Sequence, residues 1–150
     1  MKSDTFIENY LIKNINSLLK EEQYYPLYIY CSIGIETLGA IIDNKPIRAR
    51  NQSKYRFGMA LYQLFPNQYG FVNKNSFLYD ALRNHSVHNL LPSSKLQIIN
   101  KGNKTVRHLD QSKERVTFVI DIFANDFLKA CSSALNMIES GEVKIKNIAF

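Results

Sequence analysis

The stretch from Tyr24 to Ile42 constrains the fold more than any other, because it is apolar nearly all round a helix and carries one charged residue, Glu36. Ile29, Ile33, Leu38, Ile41 and Ile42 line it, with Cys31 and Ile35 filling the remaining arc, and Pro26 suits a first turn whose N–H groups have no helical partner. A helix without a polar face belongs in the middle of a bundle or in a bilayer. A charge at the centre of a membrane span costs roughly 2.5–3.5 kcal/mol, so Glu36 decides for the bundle.

Other segments supply helices to surround it. Thr5 and Glu8 match a capping box, and Ile7, Leu11, Ile15, Leu18 and Leu19 follow at helical spacing, which predicts a first helix to about Lys20. Ser53 is placed to cap a third helix lined by Phe57, Ala60, Leu61, Leu64 and Phe65 and stopped by Pro66. A fourth opens at Asn75 or Ser76 and reaches about Leu90, ahead of Pro92. A last long helix runs from about Asp121 to Glu139, with Gly141 placed to end it. Between the last two, Leu96 to Ile99, a turn over Asn100 to Lys104 and Thr105 to Leu109 read as a β-hairpin, and Arg115 to Val119 as a third short strand.

The predicted architecture is all-α: a bundle of about five helices with a small β-hairpin insertion over residues 95–119, before the last long helix. The 150 residues suit one domain spanning 1–150, and a chain of this size buries roughly 68–70% of its unfolded surface. Apolar residues at 45% and charged residues at 21% exclude a disordered or low-complexity chain. Cys31 and Cys131, each among apolar neighbours, read as buried thiols rather than a disulfide or a zinc site. Asp4 and Glu8 stand where a signal peptide would be apolar, so a cytoplasmic location with no membrane contact is expected.

The net charge of +6 is unevenly distributed. Residues 1–43 hold three basic and six acidic side chains, residues 44–109 eleven basic and one acidic, and residues 110–150 five and six. In the middle segment Lys45, Arg48, Arg50, Lys54 and Arg56 have no acidic neighbour, and Tyr55, Phe57, Tyr62, Tyr69 and Phe71 are interleaved or close behind. Basic groups track phosphates while aromatic rings stack on bases, so Arg48, Arg50, Lys54 and Arg56 are candidate RNA-binding residues. A solvated basic face over core aromatics accounts for the same pattern.

Residues 77–89, FLYDALRNHSVHN, put an arginine, an asparagine and two histidines into one helix. On a straight α-helix with Phe77 at zero, the apolar face formed by Phe77, Leu78, Ala81 and Leu82 centres near about 70°, and His85 falls at about 80°, in its middle. His85 therefore reads as a hydrogen-bonded core histidine. His88 and Asn84 fall on the edge of that face, His88 in the last turn, where the helix dipole favours its protonated form. Arg83 falls at about 240°, facing solvent or another chain, and lies about 140° from His88. The two meet at one phosphate only if the helix end deforms or two chains face each other.

Arg83, Asn84 and His88, with His85, Ser86 and Val87 between, resemble the signature of the HEPN superfamily: an arginine, a polar residue, a short gap and a histidine. The flanking Tyr79, Leu82 and Val87 are similar to those of small bacterial members, although many of these have glycine where this chain has His85. The resemblance implies a helical bundle that cleaves RNA without metal at a homodimer interface, in enzymes that often serve as toxins or antiviral ribonucleases. Arg83, Asn84 and His88 are then the candidate catalytic residues. An imidazole can take the 2′-hydroxyl proton or protonate the leaving oxygen, an arginine can hold the phosphate in bidentate fashion, and Asn84 would orient either. Some members are non-catalytic, which leaves a module binding RNA, a nucleotide or a partner protein as the alternative. An antitoxin or other regulatory protein is a candidate partner.

No cofactor is expected. His85 and His88 have a spacing zinc tolerates, but no third ligand stands near in sequence beyond His108 and Asp110, so no metal is expected either. No Gly-rich phosphate loop, sequential Ser–His–carboxylate order or helix-turn-helix pattern is present.

Overall fold

The computed structural model describes residues 1–112 and 114–149. It is predominantly helical with a small three-stranded sheet. Helix α1 covers residues 3–20, α2 Tyr24–Ile42, α3 Ser53–Leu64, α4 Asn67–Val72, α5 residues 77–89 and α6 Ile120–Glu139. Strands β1, β2 and β3 are Leu96–Ile99, Gln111–Ser112 and Arg115–Val119.

Helix α2 is the central element. It is long and apolar enough to cross a membrane, but 61% of its most apolar window is buried within the domain. Leu27, Tyr28, Cys31, Ile35, Leu38 and Ile41 have no exposed surface, and α3 and α6 pack against it. Both cysteines are buried and free, and burial pushes the Cys131 thiol up to about 12. Pro26 lies in the first turn of α2, where its missing N–H costs nothing.

Helix α2 and α3 cross very closely at Gly39. A Cβ built there would stand 2.0 Å from the backbone oxygen of Arg56. Just beyond, the chain turns through residues 43–47 around a buried ion pair. Arg56 Nε donates to Asp43 Oδ2 at 3.0 Å, and its two terminal nitrogens donate to the Ile47 and Pro46 carbonyls at 2.6 and 2.7 Å. Burial works against the Asp43 carboxylate, but Arg56, the Lys45 N–H and Lys146 outweigh it and hold its pKa below the usual range. Lys146 donates to the carbonyls of Ala40 and Lys45 at 2.7 and 2.8 Å and to that of Asp43, so a cation closes the C-terminal end of α2. That lysine comes from a tail that pairs with the N-terminus: Ser3 N–H donates to Lys146 O and Ile148 N–H to Met1 O.

Several details depart from the sequence reading. The first helix starts at Ser3 without a side-chain cap, and the Thr5 N–H bonds to Asp4 Oδ1, so the Thr5–Glu8 capping box is not formed. Ser53 does not cap α3 either; its hydroxyl donates to Glu36. Helix α5 opens at Phe77, not at Asn75 or Ser76, because Asn73 Oδ1 accepts from the Leu78 and Tyr79 N–H groups. The expected hairpin of Leu96–Ile99 with Thr105–Leu109 is absent. β1 instead pairs with β3 in parallel, Leu96 opposite Val116 through Ile99 opposite Val119, and β2 pairs with the other edge of β3 in antiparallel fashion. β3 is central because four of its five residues are buried. Residues 105–109 form no strand; Asn103 Oδ1 takes the Thr105 and Val106 N–H groups, and Leu109 has a left-handed φ of 62°.

The segment 105–109 instead contributes a buried polar chain. His108 Nδ1 accepts from the Val119 N–H at 3.0 Å, so a neutral ring carries its proton on Nε2 and donates to Tyr69 OH at 2.8 Å; Tyr69 OH donates to Asp126 Oδ2 at 2.9 Å. Phe118 and Phe123 pack around the imidazole. Burial lowers the His108 pKa to about 4 against a smaller opposing pull from Asp121, and burial raises that of Asp126.

Two predictions follow from the packing and the buried histidine. Gly39→Ala meets backbone, which cannot swing aside, and should cost about 3 kcal/mol or more, whereas Gly34→Ala, opposed by the ring tip of Phe127 at 2.5 Å, should cost roughly 1 kcal/mol; urea denaturation of both variants measures the difference. His108 stays neutral in the fold down to about pH 4, while the unfolded chain takes up a proton near pH 6.5. Its contribution is therefore complete above pH 6.5 and is lost as pH falls towards 4, by about 3 kcal/mol. Asp126, with its raised pKa, acts in the opposite sense in both wild type and a His108→Gln variant. The stability difference between the two should therefore narrow by that amount between pH 7 and 4, and parallel pH profiles would count against the assignment.

Candidate functional site

Arg83 does not point away from the fold, as a straight helix would require. Its Nε donates to Glu36 Oε2 at 2.7 Å, and the two side chains are 23% and 26% exposed. The cause is a π-helical turn, Tyr79–Asn84, inside α5. Such a turn takes up one extra residue, so each later residue occupies roughly the angular position of its predecessor, about 100° back. Arg83 moves to about 140°, on the side of α2, and Ser86 moves to about 80°, the centre of the buried face. Ser86 is indeed fully buried, and His85, expected there, is half-buried beside a cavity.

Around Arg83 a polar network joins three helices. Glu36 Oε2 also accepts from Ser53 Oγ at 2.6 Å, and Tyr79 OH donates to Ser53 Oγ at 3.0 Å. Arg83 Nη1 donates to Asn84 Oδ1 at 3.3 Å, Asn84 Nδ2 donates to Asp80 Oδ1 at 3.0 Å, and the guanidinium carbon lies 5.8 Å from the Tyr79 ring centroid. Phe57, fully buried, meets Tyr79 edge-on and fixes that ring. The arrangement engages Nε and Nη1 of the guanidinium and leaves the side chain partly exposed.

His88 is exposed in the last turn of α5, before Leu90 takes a left-handed φ of 54° and ends the helix. From Arg83 to His88 the backbone turns back to ordinary α geometry, which leaves the two about 140° apart around the axis. One chain therefore brings Arg83 and Asn84 together and leaves His88 on another side. Val87, Leu90 and Leu91 beside it are exposed apolar residues.

Of the four basic residues expected to touch RNA, Arg48, Arg50 and Lys54 are exposed. Arg56 is corrected: it is 4% exposed and engaged by Asp43, Pro46 and Ile47, so it is a structural cation. The aromatics divide the same way, with Phe57 and Tyr69 buried and Tyr55, Tyr62 and Phe71 exposed. Among the described residues no group of three His, Cys, Asp or Glu side chains is placed to hold a metal.

Sequence reasoning missed Glu36, Ser53 and Tyr79 as parts of this site. For Glu36 the signal was present: it is the lone charge in the apolar helix, and a charge there needs a partner. No family model, curated protein or solved structure matches this chain, so what the site does must be read from its own residues.

Proposed function

We propose that the protein is a metal-independent endoribonuclease of HEPN type that cleaves RNA at a homodimer interface. The observation that carries this reading is the double use of Glu36 Oε2, which accepts from both Ser53 and Arg83. It joins the start of α3 to Arg83, and Arg50 and Lys54 are exposed close to Ser53 in sequence, which supports reading them as phosphate-tracking groups beside a phosphate-holding arginine. Arg83 would stabilise charge on the scissile phosphate, Asn84 would hold the guanidinium in place, and His88 would move the proton. The separation of Arg83 from His88 within one chain, and the apolar Val87, Leu90 and Leu91 around His88, support a two-fold dimer in which the α5 ends of two copies complete the site. A cytoplasmic toxin or antiviral enzyme, held by an antitoxin or another regulatory protein, is the setting we infer.

The Glu36 contact also favours a second reading. An arginine already paired with a carboxylate, an amide and a tyrosine face resembles a structural tie, and the same surface then belongs to a non-catalytic module that binds RNA, a nucleotide or a protein.

In chelator, purified protein should cut single-stranded RNA and leave 2′,3′-cyclic phosphate ends. His88→Ala should lower the rate by at least about 100-fold, the usual scale for a lost general acid or base, with an unchanged melting temperature because His88 is exposed. Arg83→Lys should lower it similarly, since an ammonium cannot reproduce the bidentate fork. RNA bound but never cut selects the module reading, and cutting that survives both changes places the chemistry elsewhere. Sedimentation should show a dimer that Leu90→Glu/Leu91→Glu dissociates.

Affinity for RNA should fall by about 0.7 log units per log unit of salt for each phosphate neutralised. Replacing Arg48, Arg50 and Lys54 by Ser should flatten that slope in filter-binding titrations; an unchanged slope would reduce these residues to a solvated face.

A further inference from the structure

A polar cavity borders the Arg83 network, with which it shares Asp80, between the start of α5 and the approach to β1. It encloses about 320 Å³. Two cationic residues, Lys74 and Lys95, line it together with Asn75 and His85, whose amide and imidazole are neutral hydrogen-bonding groups. The remaining wall includes the ring of Phe77 and the carboxylate of Asp80. No ion pair engages Lys74 or Lys95 among the described residues.

The parts that carry these groups are held in place. Asn73 Oδ1 takes the N–H groups of Leu78 and Tyr79, which fixes the first turn of α5 and with it Phe77 and Asp80. Between Lys74 and Phe77, Asn75 and Ser76 both adopt left-handed backbone, with φ of 52° and 60°. Two successive non-glycine residues in that region cost free energy that the surrounding fold must supply. On the other side, nearly buried Ser93 accepts the Lys95 N–H on its hydroxyl and the Leu96 N–H on its carbonyl, which sets the rim lysine. His85 lines the cavity because the π turn of α5 rotated it out of the core.

We propose that this cavity binds a nucleotide through its phosphate, the phosphate seated between Lys74 and Lys95 and the base lying against Phe77. Two cations with neutral donors beside them suit a phosphate dianion. The aromatic ring offers a base a stacking face, and Asp80, whose Oδ1 already accepts from Asn84, has a second oxygen for a sugar hydroxyl or an exocyclic amine. Neither Arg83 nor His88 takes part, so the site stands whether or not the chain cleaves RNA.

Calorimetric titration with uridine 5′-monophosphate tests this. Saturable binding is expected, weakened at least about tenfold by Lys74→Ser/Lys95→Ser and changed less than about twofold by Lys13→Ser/Lys20→Ser, which removes equal charge from exposed positions on α1. Phe77→Leu should weaken it about fivefold or more. Tighter binding of a 5′-phosphorylated tetrauridylate identifies an RNA strand as the ligand, and equal binding a free nucleotide. Uridine binding as tightly as its monophosphate, inorganic phosphate binding as tightly as the nucleotide, equal losses in the two lysine pairs, or no binding at millimolar nucleotide would each overturn the proposal.

Discussion

The approach of α2 to α3 at Gly39 is the constraint on which the rest of the structure depends. With backbone oxygen 2.0 Å from where a Cβ would lie, the two axes cannot be moved apart or slid without losing the contact. Every polar pair along the seam follows from that register. One turn before Gly39, Glu36 meets Ser53; one turn after it, Asp43 meets Arg56. The first pair leaves its carboxylate half-exposed and free to take Arg83, and the second is closed over and tied to the 43–47 turn. The same seam thus yields one structural ion pair and one that borders the candidate site, and burial alone separates their roles.

The π turn in α5 is the second decisive feature, and it explains why the site was only partly legible. That α5 exists, that it carries Arg83, Asn84 and His88, and that it ends before Pro92 can all be read from hydrophobic spacing and the proline. Its rotation cannot, because a projection at a fixed angle per residue is wrong by one residue beyond the extra one. The observed cost is visible in the core. Ser86 Oγ lies buried near Tyr28 OH, and neither makes a well-formed hydrogen bond. A stretch that keeps such a pair in its interior is holding its later residues where a regular helix would not, and the beneficiary is the contact of Arg83 with Glu36. A similar π segment, Ile7–Ile12, interrupts α1, and Ile7 and Leu11 within it remain in the core.

The sheet was misread for a different reason. Hydrophobic alternation located both β1 and β3 but says nothing of partners, and adjacency in sequence favoured a hairpin that the structure replaces with a parallel pair. The segment read as the second hairpin strand, residues 105–109, carries an arginine and a histidine, and the histidine does the work of a backbone group: its Nδ1 satisfies the Val119 N–H where β3 hands over to α6. On the other side of the ring, Tyr69 OH accepts from Nε2 and in turn donates to Asp126. A buried imidazole of this kind must remain neutral, which is why its basicity is depressed and why it belongs to the fold rather than to proton transfer.

The basic excess of the middle segment resolves into two populations once burial is known. Arg56 is consumed by the 43–47 turn, Arg83 by Glu36 on one edge and Lys101 by Glu22, so three of the eleven cations there are held in ion pairs among the described residues. Arg48, Arg50, Lys54, Lys74 and Lys95 are exposed, and the only acidic residue of the segment, Asp80, bonds to Asn84 at the boundary between the Arg83 network and the cavity below it. A solvated face needs no such arrangement, because charge for solubility is satisfied by dispersal. Arg48 Nη2 donates to the Ala149 carbonyl at 2.8 Å, whereas Lys74 and Lys95 line the cavity beside His85 with no ion pair among the described residues. Around Arg83 the neutral groups are already oriented by their own contacts: Asn84 donates to Asp80, and Tyr79 donates to Ser53 with its ring against Phe57.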